Sequence, residues 1–166
     1  MMRQIQVRDA RPEELDDVAQ LLEESYRQYA PLMPAEAWEE YRQDIRDVRA
    51  RLPESQLIVA LLNERLAGAV TLYLEKSETL SWPDGWAAIR LLGVHPSFRG
   101  KGIGTALVEE CIQRSRTRGL RTIGLHTTIQ MDVARQIYEN IGFVRAPEFD
   151  FHPDETIVVM AYRLDT

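Results

Sequence analysis

The stretch His95-Pro96-Ser97-Phe98-Arg99-Gly100-Lys101-Gly102-Ile103-Gly104 joins two segments of different hydrophobic pattern. Residues 86–94 before it form a largely apolar run typical of a strand, and apolar residues recur at helical spacing from Ile103. Alternate glycines let backbone N–H groups turn inward together at the start of that helix, where unpaired donors and the dipole favour an anion. Arg99 and Lys101 add positive charge. The loop therefore predicts a site for a phosphate or pyrophosphate.

Two common nucleotide-binding loops do not fit this stretch. A Walker loop requires Gly-x-x-x-x-Gly-Lys-Ser/Thr, but Gly102 follows Lys101 and His95 occupies the first glycine position. The dinucleotide fingerprint requires Gly-x-Gly-x-x-Gly, whereas Gly100, Gly102 and Gly104 are each two residues apart. The spacing weighs against an ATP or NAD module, and a comparison of ATP, NAD and coenzyme A affinities tests that alternative.

The pattern around the loop predicts an α/β fold of the α+β type. Strand 86–94, helix 103–118 and strand 122–127 form a βαβ unit with parallel strands, and a hairpin adds antiparallel neighbours. No repeat or linker interrupts the chain, so we expect a single domain over 1–166. The remaining predicted elements are a strand around 5–7, helices 12–30 and 35–50, strands 56–62 and 66–74 joined by 63–65, a helix 131–140 and a final strand 156–164.

Composition excludes several classes of protein. The 166 residues carry 26 acidic and 20 basic side chains, a net charge of −6, which disfavours nucleic acid and anionic membranes as partners. The longest apolar run, 57–62, is far shorter than the roughly 20 residues that span a bilayer. Residues 1–9 lack the apolar region of a secretory signal, so we expect a cytoplasmic protein. Cys111 is the only cysteine, which rules out an intrachain disulfide and a cysteine zinc cage, and we expect it to be buried and no metal to bind.

The net charge conceals a basic segment. Between Arg90 and Arg121 there are seven basic and two acidic residues, a local charge of 7 − 2 = +5, which leaves −6 − 5 = −11 for the rest of the chain. A polyanionic ligand is therefore compatible with the acidic composition.

Two blocks of sequence resemble one family. Arg99–Gly104 reads Arg-x-x-Gly-x-Gly directly after a strand ending in Leu-Gly-Val, and it resembles the acetyl-coenzyme A motif of the Gcn5-related N-acetyltransferase (GNAT) superfamily. Ala134–Phe143 is similar to that family's Ala-x-x-(apolar)-Tyr-Glu-x-x-Gly-Phe block. The order of predicted elements agrees from end to end, so the resemblance covers essentially the whole chain.

The resemblance implies a mixed, mostly antiparallel sheet with a central parallel splayed strand pair, flanked by helices. It also implies an acetyl-CoA-dependent N-acetyltransferase that passes the acetyl group directly to an amine of a small molecule or peptide. A backbone N–H near Leu92 would polarise the thioester carbonyl, and the Tyr138 phenol would protonate the departing sulfur. The residues implied in cofactor binding are Leu92, Gly93 and Val94 for pantetheine and Arg99, Gly100, Lys101, Gly102, Ile103, Gly104 and Thr105 for the pyrophosphate.

The chain departs from the family pattern at the general base. Strand 86–94 has no Asp or Glu, and Ala88 falls near the position of the strand carboxylate that many relatives use. The possible replacements are His126, Asp84, His95 and Glu78. Met131 also stands where many relatives place an asparagine that binds coenzyme A. The missing carboxylate leaves a noncatalytic acyl-CoA-binding or sensing domain as the alternative function.

The sequence signals for the acceptor pocket and for assembly are less specific than those for the cofactor site. In relatives the wall of the acceptor pocket corresponds to helices 12–30 and 35–50 and the loop 147–155. The helical phase of the acidic residues in the two helices favours solvent-exposed faces for them. Strand 156–164 resembles final strands that pair across dimers in this superfamily, and an unpaired edge favours such pairing, so a homodimer is expected.

Overall fold

A computed structural model describes residues 4–75, 77, 80–154 and 157–166. The strands are β1 (Ile5–Asp9), β2 (Gln56–Leu62), β3 (Arg65–Tyr73), β4 (Trp86–Val94), β5 (Thr122–Thr127), β6 (Val144–Arg145), β7 (Phe151–Asp154) and β8 (Ile157–Asp165). The helices are α1 (Leu15–Tyr26), α2 (Ala35–Arg46), α3 (Val48–Arg51), α4 (Ile103–Thr117) and α5 (Asp132–Ile141).

The strands form one eight-stranded sheet in the order β1-β2-β3-β4-β5-β8-β6, and β7 pairs with β8. Its pairs β1–β2, β5–β8, β6–β8 and β7–β8 are antiparallel, and β4–β5 is parallel. The predicted fold class is therefore confirmed.

The chain divides into two compact units, residues 1–71 with 91–107 and residues 72–90 with 108–166. That the whole of 1–166 behaves as a single domain stays a prediction.

In the first unit, α1 buries one stripe of its surface. Val18 and Leu22 are fully buried, as the three- and four-residue spacing predicts. The hairpin from β2 to β3 turns at Asn63 and Glu64, with φ of 49° and 69°. Two consecutive positive φ values fit a type I′ turn, whose twist matches that of the flanking strands, so the connection has two residues rather than the predicted three.

The two predicted helices of this unit are shorter than expected. The α-helical hydrogen bonding of α1 ends at Tyr26, and Arg27–Leu32 forms a 3-10 helix that contains Pro31. Proline has no N–H to continue an α-helix, which accounts for the change. The predicted helix 35–50 divides at Asp47, whose ψ of 57° is not helical, so that α3 is a separate turn.

The second unit contains the parallel pair. Its register extends from Trp86↔Thr122 to Ile89↔Leu125, while β4 continues to Val94. Helix α4 ends at Thr117, followed by Gly119 at a φ of 82°, as the predicted terminating glycine requires. Cys111 is fully buried, and burial raises the pKa of its thiol to about 12, so the prediction of a buried cysteine is confirmed.

Two expectations for the C-terminal segment are wrong. The predicted loop 147–155 contains the 3-10 turn Pro147–Phe149 and the strand β7, which the sequence does not indicate because β7 is only four residues long and contains Pro153. The final strand β8 pairs with β5, β6 and β7, so it is not an unpaired edge. Residues 155 and 156 of these predicted segments lie outside the described residues. Within the described part of the chain, no helix is long and apolar enough to cross a membrane.

Candidate active site

Two glycines in a left-handed backbone conformation shape the loop after β4. Gly100 has a φ of 74° and Gly102 a φ of 86°, a region that costs a residue with a Cβ roughly 1–2 kcal/mol. A Cβ built on Gly100 would meet no heavy atom within 4 Å, and one on Gly102 would meet only Ile5 Cδ1 at 4.0 Å. Backbone conformation rather than lack of space therefore requires glycine at both positions.

Helix α4 begins directly behind these glycines. The Ala106 N–H donates to the Gly102 carbonyl at 3.0 Å, so by helix geometry the N–H groups of Ile103, Gly104 and Thr105 have no carbonyl partner within the helix. The side chain of Ile103 is buried at 1% exposure, and this residue can therefore offer a ligand only its backbone. The arrangement suits an anion at the helix N-terminus.

His95 fixes the start of the loop through both ring nitrogens. Its Nδ1 accepts a hydrogen bond from the Ser97 N–H at 3.1 Å, and its Nε2 lies 2.6 Å from Oε2 of Glu24 on α1. Since Nδ1 accepts, Nε2 carries the proton and donates to the carboxylate. Hydrogen bonds from Gln20 and from His95 lower the pKa of Glu24. His95 is thus committed to holding the loop.

Arg99 holds the middle of the loop with its side chain. The guanidinium donates to the Ser25 carbonyl at 3.0 Å, to Gln28 Oε1 at 3.1 Å and to the Val94 carbonyl at 3.4 Å. These bonds tie the loop to the C-terminal part of α1 and to the end of β4. Lys101 is half-buried and is the other cation of the loop.

The last residues of β4 depart from regular strand geometry. Leu91 has a φ of 56°, which is unusual for a residue with a branched side chain. The Leu92 carbonyl accepts a hydrogen bond from the buried Tyr26 phenol at 2.8 Å, so this carbonyl already has a protein partner. Sequence reasoning missed the Leu91 conformation because no glycine or asparagine marks it.

Gly93 is a glycine for a different reason from those of the loop. A Cβ on Gly93 would lie 2.9 Å from Leu22 Cδ2 and 3.0 Å from Ser25 Cβ and Oγ. Helix α1 therefore packs directly on this point of β4. Contact of the Leu92, Gly93 and Val94 backbone with a ligand stays a prediction.

Tyr138 lies in α5, within the second unit. Its side chain is 5% exposed and its ring centroid is 5.7 Å from that of Phe143. The helix ends immediately after it: Gly142 has a φ of 124°, and the N–H groups of Gly142 and Phe143 donate to the Tyr138 carbonyl at 3.1 and 3.0 Å. The Ala-x-x-(apolar)-Tyr-Glu-x-x-Gly-Phe block is therefore one structural piece, a helix with its glycine cap and the aromatic residue packed back on the tyrosine.

Five rings of the second unit pack together in what we term the aromatic cluster. Trp82 stacks on His126 with ring centroids 4.5 Å apart and on Trp86 at 5.4 Å. Phe149 packs against both tryptophans, at 5.3 and 5.2 Å, and Phe151 meets the His126 ring edge-on at 5.0 Å. The rings come from three separate stretches of the chain, 82–86, 126 and 149–151, which is why sequence reasoning did not assemble them.

Ala88 lies on the same face of the sheet as this cluster. It is the registered partner of Gly124 on β5, and a Cβ on Gly124 would lie 2.8 Å from Trp82 ring atoms. Alternate residues of a strand share a face, so His126 stands on that face too. A cleft beside Ala88 is lined by Tyr73, Glu75, Ser77, Leu80, Trp82, Pro83 and Trp86.

The four candidate bases differ in their surroundings. Glu78 lies outside the described residues, and Asp84 is exposed in a turn. His126 is half-buried, and its Nε2 lies 2.9 Å from the Phe149 carbonyl. A carbonyl only accepts, so Nε2 carries the proton. Burial lowers the pKa of His126, against smaller opposing effects of this hydrogen bond and of Asp150.

The helical phase predicts that the acidic face of α1 is exposed to solvent, but the structure shows that part of this face is buried. Glu23 is buried at 8% exposure. Its carboxylate pairs with Arg27 at 2.6 Å, Arg42 at 3.1 Å and Arg46 at 3.2 Å. The acid therefore joins α1 to α2 within the first unit. Among the described residues no group of three or more His, Cys, Asp or Glu side chains is placed to hold a metal ion.

The family model and the related sequences that match this chain are all acetyltransferases. A family model described as the acetyltransferase (GNAT) family matches residues 15–143. N-alpha-acetyltransferase 30 of Schizosaccharomyces pombe is 28% identical over 137 residues, covering 79% of this chain and 78% of that protein. The IAA acetyltransferase of Azospirillum brasilense is 27% identical, covering 87% and 89%. An N-acetyltransferase of Methanocaldococcus jannaschii is 39% identical over 57 residues, but the match covers only 25% of that protein and 34% of this chain.

Solved structures share the fold at low sequence identity. The PaiA N-acetyltransferase of Thermoplasma acidophilum, in complex with coenzyme A, superposes with a TM-score of 0.74 at 19% identity, covering 97% of this chain and 99% of that one. The YncA protein of Salmonella typhimurium, solved with its cofactor acetyl-CoA, gives a TM-score of 0.67 at 16% identity, covering 97% and 93%.

Proposed function

Because the chain belongs to the GNAT acetyltransferase family, we propose that it transfers the acetyl group of acetyl-CoA directly to an amine of a small molecule or a peptide. The observation that carries the proposal is the loop before α4. Its glycines Gly100 and Gly102 adopt positive φ values just ahead of the unpaired N–H groups of a helix N-terminus. Such a backbone suits a pyrophosphate, which acetyl-CoA carries.

The residues proposed to hold acetyl-CoA would contact it either through backbone N–H groups or through a charged side chain. The backbone N–H groups around Gly102, Ile103, Gly104 and Thr105 are suited to the pyrophosphate oxygens. Lys101 supplies a mobile positive charge. Arg99 supports the site by fixing the loop, since its guanidinium donates to Ser25, Gln28 and Val94. The backbone of Leu92, Gly93 and Val94 is proposed for the pantetheine arm. The Leu92 N–H would polarise the thioester carbonyl.

Tyr138 is proposed as the general acid. Attack of the amine on the thioester ends with departure of a thiolate, and a phenol with an ordinary pKa of about 10 can protonate it. Burial of the ring against Phe143 and the glycine cap of α5 hold the side chain in one place. If Tyr138→Phe leaves the rate of thiol release unchanged across pH, this assignment is wrong.

Two measurements test the proposal. Calorimetry should show that coenzyme A binds more tightly than ATP or NAD, and free thiol should appear only when acetyl-CoA and a suitable amine are both present. A panel of benzylamine, spermidine, L-lysine and a tripeptide with a free N-terminus samples aromatic, polycationic, amino-acid and peptide acceptors. Coenzyme A binding without thiol release across a wide panel would favour a noncatalytic binding domain. Absence of coenzyme A binding would overturn the proposal.

The proposal also includes the cellular location of the protein and its oligomeric state. The acidic net charge of −6 supports a protein without nucleic-acid or anionic-membrane partners, and a cytoplasmic location is part of the proposal. A homodimer is retained from the family resemblance, although β8 is paired within the chain. Light scattering across a concentration series tests the assembly.

A further inference from the structure

We infer that His126 is the catalytic base that takes the proton from the acceptor ammonium, in place of the strand carboxylate that β4 lacks. The inference rests on the proposed function, since amine attack on a thioester requires a nitrogen with a free lone pair. It also rests on three features of the second unit: the tautomer of the His126 ring, its position on the sheet and the rings around it.

The tautomer leaves one ring nitrogen able to accept a proton. The Phe149 carbonyl, 2.9 Å from Nε2, fixes the proton on that nitrogen. Nδ1 then carries the lone pair, and it accepts no hydrogen bond from any residue that the structure describes. His95 differs in this respect, because its Nδ1 already accepts from the Ser97 N–H and its Nε2 donates to Glu24.

The position of His126 matches the face on which the carboxylate is missing. Ala88 on β4 is registered with Gly124 on β5, and His126 lies two residues further along β5. Side chains two residues apart in a strand project from the same face. Trp82 supports this placement, because its ring covers Gly124 and stacks on His126.

The surroundings keep the ring neutral and oriented. Trp82 covers one face of the imidazole and Phe151 meets it edge-on, so an added proton is poorly solvated. Asp150 acts in the opposite direction on the pKa of His126, and its carboxylate is paired with Arg145 at 2.6 Å. Arg163 contacts the cluster directly, with its guanidinium carbon 4.7 Å from the centroid of the Trp86 ring.

Nδ1 of His126 takes one N–H proton from the acceptor ammonium, and the nitrogen lone pair forms the C–N bond to the thioester carbonyl carbon. The C–S bond breaks, and the leaving thiolate takes a proton from the general acid. The amide nitrogen gives its remaining extra proton to the deprotonated general acid, and His126 releases its proton to solvent. The products are N-acetylated amine, coenzyme A thiol and one proton.

The test compares wild type with His126→Gln, using the panel amine with the fastest turnover. Glutamine retains an N–H for the Phe149 carbonyl but cannot take up a proton at neutral pH. We expect kcat to fall by about 100-fold or more at pH 7 while the Kd for coenzyme A changes less than twofold. The rate of the variant should rise about tenfold per pH unit below the pKa of the amine, because only free amine reacts. Imidazole added to the buffer should restore part of the rate.

His152→Gln, at the exposed histidine of β7, is the matched control and should retain the wild-type pH profile. A wild-type pH profile in His126→Gln would overturn the inference while leaving the proposed function intact. Nitrogen-15 NMR of the wild type gives a readout that needs no variant. It should show Nε2 protonated and Nδ1 unprotonated at neutral pH, and the opposite tautomer would contradict the assignment. Failure of every panel amine would count against the proposed function itself.

Discussion

The loop 95–105 and the aromatic cluster are built in opposite ways. The loop comes from one continuous stretch, and its shape depends on backbone conformation at Gly100 and Gly102 with polar anchors to α1. The aromatic cluster contains five rings from three stretches of the chain and depends on packing between side chains. The first kind of site can be recognised in a sequence, and the second becomes visible only when the chain has folded.

The comparison predicts that the largest loss of stability follows from removing the centre of the aromatic cluster. Trp82→Ala should lower the free energy of unfolding by about 3–5 kcal/mol, because Trp82 is 7% exposed and contacts three other rings of the cluster. Urea unfolding measures the change. Trp38→Ala is the control, since Trp38 is half-buried and packs against the ring of Tyr41. An equal loss in both variants would show that the cluster has no special role in stability.

Gly124 tests whether the cluster depends on close approach to the sheet. In Gly124→Ala the new Cβ would lie 2.8 Å from the Trp82 ring, which must move, and we expect a loss of about 1–3 kcal/mol. Near-ultraviolet circular dichroism should report the movement of the indole. The double variant Gly124→Ala/Trp82→Leu should lose less than the sum of its two single variants. Strict additivity would mean that the two positions do not interact.

Gly102 tests the loop in the same way, through the backbone. Gly102→Ala places a Cβ at a φ of 86° and should cost roughly 1–2 kcal/mol of stability and weaken coenzyme A binding. Gly85→Ala is a matched control, because Gly85 has a φ of 83° and open space around it. We expect similar destabilisation in both variants but weaker coenzyme A binding, by calorimetry, only in Gly102→Ala. Equal affinities would contradict the assignment of the loop.

The smallest expected effect is a pH dependence of stability from His126. Burial holds its pKa below the ordinary value of 6.5, so the unfolded chain binds the proton more readily than the folded one. The contribution of the neutral ring is therefore complete above pH 6.5 and is lost as pH falls from 6.5 through the lower folded pKa. Thermal unfolding should show a smaller drop in Tm between pH 7.5 and 5.5 for His126→Gln than for wild type. His152→Gln should keep the wild-type drop.

Much of the fold followed from the sequence because its signals are local. Strands β2, β4 and β5 lie where the apolar runs predict them, and Gly119 ends α4 as expected. The predicted boundaries of helices and strands are wrong where local signals compete. Pro31 changed the end of the first helix, and a two-residue turn replaced the expected three-residue connection. Strand β7 was missed because it is only four residues long and contains a proline.

The sequence by itself determined the family, and it predicts a phosphate site in the loop. Glycine spacing, two cations and the start of a helix act over ten residues, and no distant contact is needed to recognise them. Tertiary structure decided the roles of individual side chains. It showed Arg99 and His95 engaged in fixing the loop, and it left Nδ1 of His126 without a described partner on the face of Ala88. A hydrogen-bond partner or a stacked ring comes from residues far away in the chain, so only the folded protein specifies it.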